Sequence, residues 1–143
     1  MENAVQMIGE KLPLNLILGI VFDTKRRRVL IVKRKRETSV SELKWCFPGG
    51  KIEYGDDLEE KLKKKILEKT GLKVESLGSV FAETQPKSRG KMLSIYYLCE
   101  FVGGREKLHE EFEEMKWVSP REVEKYFGKG LPPNLSEYLA NLK

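Results

Sequence analysis

The chain has 143 residues, enough for one domain with a real core, and its 40% hydrophobic and 34% charged content describes a soluble globular protein. No apolar run approaches transmembrane length, and Cys46 and Cys99 are too few for a disulfide scaffold and lack metal-ligand spacing. The net charge of +5 favours anionic partners, nucleotides or nucleic acid among them, without identifying one.

In chain order, "LNLILGIVFD" (Leu14–Asp23) is a near-continuous apolar run rich in β-formers and predicts a buried strand. "TKRRR" is a polar turn and "VLIVKR" (Val29–Arg34) a second strand, so the two form a hairpin. "KRETSVSELK" reads as a solvated loop, and "WCFPGG" as a short strand ending in a Pro-Gly-Gly turn. Asp56–Lys69 predicts a helix. Asp56 or Asp57 can cap it, Leu58, Leu62 and Ile66 recur at i+4, and Gly71 stops it. "LKVESLGSVFAET" is a strand region, "QPKSRGK" a polar loop, and "MLSIYYLCEFVGG" (Met92–Gly104) another β-rich run. "EEMKWVSP" holds a last short strand. "SPREVEKYF" opens a helix with Ser119 as N-cap, Pro120 at the first position and Glu122 at the third. "LPPNLSEYLANLK" adds a short helix at the end.

This order of elements, with the frame from Gly50 to Leu72, resembles the Nudix superfamily, whose box reads G-x5-E-x7-R-E-U-x-E-E-x-G-U, U being a bulky aliphatic. Gly50 takes the first glycine, Asp56 the first acid, Ile66 the aliphatic position, Glu68 the first of the paired glutamates, and Gly71 and Leu72 the exit. The lead-in "KWCFPGGKIEYGD" and the late "EEFEEMKWVSPREV" match the family's flanks, so the likeness covers about Leu14 to Phe127. The resemblance implies an α+β fold, an α/β/α sandwich with a mixed β-sheet between the box helix and a C-terminal helix, as a single domain over 1–143. It also implies hydrolysis of a nucleoside diphosphate linked to another group, with Mg²⁺ or Mn²⁺ as cofactor.

The departures fall on the chemistry. Lys64 stands for the box arginine, Lys65 for the glutamate beside it and Lys69 for the second of the paired glutamates, while Lys61 occupies a usually small position. Positions 61, 65 and 69 are four apart and share one stripe of a helix. In an intact member the acids at 65, 68 and 69 converge on the metal, which wants hard oxygen ligands. Two of those three are ammonium groups here. The expected outcome is a nucleotide-binding protein in which ordinary Mg-dependent pyrophosphohydrolysis is weak or lost. Lysine is a good point charge for phosphate.

Candidate ligand-binding cations are Lys65, Lys69, Arg34, Lys51, Lys87 and Arg89. If hydrolysis persists, Glu68 and Asp56 are its catalytic candidates, and Glu68, Glu53 and Glu111 its metal candidates. Asp56 reads more readily as a helix cap, Glu53 as a loop brace, and Glu110 and Glu111 as a solvated acidic loop. His109 is the one histidine and a conceivable general base. Phe47, Tyr54, Tyr96 and Tyr97 are the aromatics that could stack on a base, and of the adjacent pair Tyr96 and Tyr97 one is expected to face inward. The basic runs at 25–28 and 33–36 keep open an RNA-binding or protein-interaction module. The start "MENAVQMIGEKL" lacks a signal-peptide layout, so a cytoplasmic protein with reduced thiols is expected. Scarce Gln beside abundant Lys and Glu leans toward a thermophilic source.

Overall fold

β1 (Asn15–Asp23) is buried over most of its length because both faces of its sheet are covered. The computed structural model describes residues 15–35, 45–87 and 90–142, the side chains of 85–87, 90 and 91 excepted. After β1 come β2 (Arg28–Arg34), β3 (Trp45–Cys46), β4 (Gly49–Lys51) and helix α1 (Leu58–Thr70). Then follow β5 (Leu72–Lys87), β6 (Gly90–Gly104), β7 (Phe112–Val118), α2 (Val123–Phe127) and α3 (Pro133–Ala140). The strands form one mixed sheet with the order β3-β2-β1-β6-β5, β4 pairing with β1 and β7 with β2. β1 and β6 run parallel, Ile17 beside Ile95, and β5 and β6 form a long antiparallel hairpin.

Two cores lie on opposite faces of this sheet. Ile17, Val21, Leu30, Leu72, Val74 and Cys99 pack with Leu62 and Ile66 of α1. Ile20, Phe22, Ile31, Phe47 and Tyr96 pack with Val123 and Phe127 of α2 and Leu135 and Leu139 of α3. This is the expected α+β class with helices on both faces. Tyr96 and Tyr97 point to opposite faces, yet each is only 7% exposed. The expectation that one of them faces inward is corrected: with both faces covered, alternation sends both into a core.

Two loops are shorter than the sequence suggested. Gly49–Lys51 is not a free turn but pairs with β1 as Leu18↔Gly49, Ile17↔Gly50 and Leu16↔Lys51. The polar stretch 85–91 continues the β5–β6 hairpin as Gln85↔Met92, Pro86↔Lys91 and Lys87↔Gly90. The expected loop at 36–44 lies outside the described residues. β5 is not regular. Its register with β6 shifts between Lys73 and Val74 and twice between Ser76 and Phe81, around Gly78 at φ +108°.

α1 starts at Asp57, whose carboxylate accepts the Glu60 N–H at 3.2 Å, and ends at Gly71 in the left-handed region (φ 77°), its N–H donating to the Leu67 carbonyl at 2.9 Å. Leu62, Ile66 and Thr70 form its buried stripe. Lys61, Lys65 and Lys69 each precede one of these by one position, so the lysines form the adjacent stripe along the border of the core. The end of α1 is tied to the next loop, where Arg105 N–H donates to the Gly71 carbonyl (3.1 Å) and Lys107 N–H to the Thr70 carbonyl (2.8 Å).

Candidate functional site: an ion-pair ladder on the box helix

Each lysine of the stripe has a carboxylate. Lys61 Nζ lies 3.4 Å from Asp56 Oδ2, Lys65 Nζ 3.6 Å from Glu68 Oε2, and Lys69 Nζ 3.2 Å from Glu111 Oε1. Lys69 is the most covered of the three, its side chain 19% exposed. Three of the carboxylates singled out as catalytic or metal candidates, Asp56, Glu68 and Glu111, are thus each taken up by a separate ammonium group. Among the described residues no three His, Cys, Asp or Glu side chains come together, and ammonium groups stand beside Glu68 and Glu111. The residues present do not fit the divalent ion that the resemblance implied.

Asp56 is not the helix cap. Its carboxylate accepts the Glu53 N–H at 2.7 Å, which closes the loop ahead of α1. That bond holds the Asp56 carboxyl below its ordinary range, with the charges of Lys61 and Lys65 adding to the effect. Glu53 therefore braces the loop through its backbone, while its side chain is exposed. Lys51 is exposed on the rim of β4, and Lys64, in the place of the box arginine, is exposed on the outer side of α1.

Glu111 is delivered from the segment entering β7. Its carbonyl accepts the Lys35 N–H at 2.9 Å, and its own N–H donates to His109 Nδ1 at 3.2 Å. His109 is thereby engaged beside Glu111, and Glu110 is exposed. Arg34, at the end of β2, lies against the Cys46 thiol, and Lys69 and Glu111 act on the same thiol. Burial pushes that thiol up, and the two cations only partly offset it. Arg34, Cys46, Lys69 and Glu111 thus form one cluster at the C-terminal end of α1. A groove of about 770 Å³ along the helix takes in Lys61, Lys65 and Glu68, and its lining does not include Arg34, Lys69 or Glu111.

Of the stacking candidates, Phe47, Tyr96 and Tyr97 are buried and unavailable, whereas Tyr54 is 98% exposed at the tip of the loop before α1. Arg89 lies outside the described residues, as does the Lys87 side chain. At the basic β1–β2 tip, Arg26 is held by Asp23 at 2.7 Å and stacks 4.9 Å from the Trp117 ring centroid. Arg28 stands 4.0 Å from Glu122. That leaves the tip less basic in effect than its sequence.

A family model for the NUDIX domain matches residues 15–140. The chain is similar to an ADP-ribose pyrophosphatase of Methanocaldococcus jannaschii, 34% identical over 97 residues, covering 65% of this chain and 55% of that protein. It is also similar to the nucleoside triphosphatase NudI of Escherichia coli, 28% identical over 108 residues, covering 68% of this chain and 77% of the relative. The chain thus spans about half the length of the archaeal relative, at 55%. Among solved structures, a MutT protein from Methanosarcina mazei superposes with a TM-score of 0.71 at 20% identity, covering 90% of this chain and 91% of that one. At that identity the likeness speaks for the fold. No described helix is long and apolar enough to cross a membrane.

Proposed function

The chain belongs to the Nudix domain family, and on that premise we propose that it binds a nucleotide or nucleoside-diphosphate derivative, with ordinary Mg-dependent pyrophosphohydrolysis weak or lost. The relatives bear nucleotide-directed names, ADP-ribose pyrophosphatase and nucleoside triphosphatase, which supports the ligand class. The loss of ordinary chemistry rests on one observation: the lysines at 65 and 69 are already paired with Glu68 and Glu111.

Nudix hydrolases use a divalent metal such as Mg²⁺ or Mn²⁺. A divalent ion at about 4 Å from an ammonium meets about 8 kcal/mol of repulsion at an effective dielectric near 20. Swinging the lysine away lowers that figure but leaves its carboxylate without its partner. Lysine Nζ carries three donors, so a lysine that keeps one carboxylate still has donors for a phosphate oxygen. Such binding orients a phosphate and supplies no activated water.

A second reading keeps the enzyme. Glu68 on the helix and Asp56 ahead of it are retained acids, and Glu111 reaches the helix's C-terminal end from the turn before β7. In that reading these acids form a hydrolytic site of altered metal preference.

Thermal shift with ADP, ADP-ribose and nucleoside triphosphates, in chelator and in Mg²⁺ or Mn²⁺, separates the two. Metal-free binding predicts that at least one nucleotide raises the Tm in chelator. Stabilisation that requires metal, together with phosphate release abolished by Glu68→Gln, would overturn it.

A further inference from the structure

Lys61 and Lys65 find their carboxylates within the loop–helix unit, but Lys69 reaches out of it, to Glu111. Nothing in the helix requires this contact. Glu111 is brought there by a backbone fixed at several points: its carbonyl to Lys35 just past β2, its N–H to His109, and the preceding segment to the end of α1 through Lys107. The outcome is a carboxylate held at a half-covered lysine, in a cluster whose other cation is Arg34. A carboxylate oxygen in that place makes the contact that a phosphate oxygen would make.

We propose that Glu111 is a tethered anion that competes with ligand for Lys69, so that the site takes ligands ending in a terminal phosphate in preference to those whose phosphates are all diesters. This rests on the nucleotide-binding reading above and names its ligand class. Each diester phosphate carries one negative charge, as the carboxylate does, and gains little by replacing an anion already tethered at the lysine. A terminal phosphate carries close to two charges at neutral pH and three acceptor oxygens, so it displaces the carboxylate and still leaves acceptors for Arg34. A nucleoside diphosphate fits that description; ADP-ribose, with its diphosphate bridged at both ends, does not.

The test is calorimetric titration of ADP and ADP-ribose in chelator against wild type, Glu111→Gln, Lys69→Gln and the double variant. Wild type is expected to bind ADP more tightly than ADP-ribose. Glu111→Gln should tighten both by roughly two- to fivefold, the range of a partly exposed ion pair. ADP-ribose should gain at least as much as ADP. The gain should vanish when Lys69 is also replaced, which ties it to the pair. Binding by Glu111→Gln alone, with none by wild type, would also support the tethered anion. Wild-type binding that Glu111→Gln leaves unchanged or weakens, or a gain that survives without Lys69, sinks the tethered anion and leaves nucleotide binding standing. Equal wild-type affinity for the two ligands sinks the terminal-phosphate preference. No binding by wild type or Glu111→Gln sinks both this and the underlying reading. Should Glu111→Gln fail to fold, the wild-type preference between the two ligands decides.

Discussion

Lys65 lies across Gly50: a methyl group at Gly50 would stand 3.2 Å from both Cγ and Cδ of the lysine. Gly49 differs, because a methyl there would run into the backbone carbonyl of Ile17, which cannot move without breaking β1 from β4. The two glycines should therefore tolerate alanine unequally. Gly50→Ala is expected to cost within about 1 kcal/mol, because a flexible lysine stem yields. Gly49→Ala should cost about 2 kcal/mol or more. Urea unfolding of the two variants checks the order; equal costs would mean that β4 is not held as described.

Restoring the acids should restore the metal. Lys65→Glu with Lys69→Glu places carboxylates beside Glu68 and Glu111, so in chelator the double variant is expected to melt below wild type through like-charge repulsion. Adding Mn²⁺ should reverse the loss, by about 2.7 kcal/mol once the ion reaches a hundred times its dissociation constant. Wild type should show no such response. Equal Mn²⁺ binding by the two proteins would refute the ladder as the barrier to metal.

Acid should weaken the protein in a defined window. The Arg26 side chain holds the Asp23 carboxyl below its ordinary value, helped by the backbone N–H groups of Arg26 and Lys25. A carboxyl with a lower pKa folded than unfolded contributes stability above the unfolded value, about 3.9, and loses it as pH falls through the folded one. Asp23→Asn should thus lower stability at pH 7 and cost progressively less below about pH 4. Urea titrations across that range check it, and a variant deficit that does not shrink in acid would contradict the assignment.

The thiols should be inert. Burial pushes Cys99 up to about 12, and Cys46 is raised for the same reason. Thiolate is the reactive form, so labelling with a disulfide reagent at about pH 8 should be slow in the native protein and rapid for both thiols in denaturant. Rapid native labelling of Cys46 would place it in a more open cluster than the one seen.

The strands and helices whose side chains repeat regularly could be read in advance. β1, β2 and α1 appear near their expected bounds because apolar runs and i+4 spacing state which face is buried. β4 was missed, because glycine reads as a turn and only the partner strand shows that Gly49 is small for closeness to Ile17. The lysine stripe followed from spacing alone. Its partners did not. Glu68 is three residues from Lys65 and within reach of any pattern search, but Glu111 comes from the turn before β7 and meets Lys69 only through the fold. The stacking candidates fared worst, since polarity cannot tell a tyrosine on a sheet covered on both faces from one at a surface.

The irregular course of β5 bears on how copies of the protein behave together. β5 stands at the end of the strand order, and a straight 16-residue strand in that place would offer a long ready edge for another chain to extend. The register shifts on either side of Ser79 break that edge into shorter, differently twisted pieces. Gly78 lies in the same break, its N–H turned to the Ser76 hydroxyl at 3.3 Å. Leu77, 60% exposed, sits where the pairing with β6 is interrupted. The kinks that cost β5 some of its pairing with β6 also shorten the straight edge open to another chain.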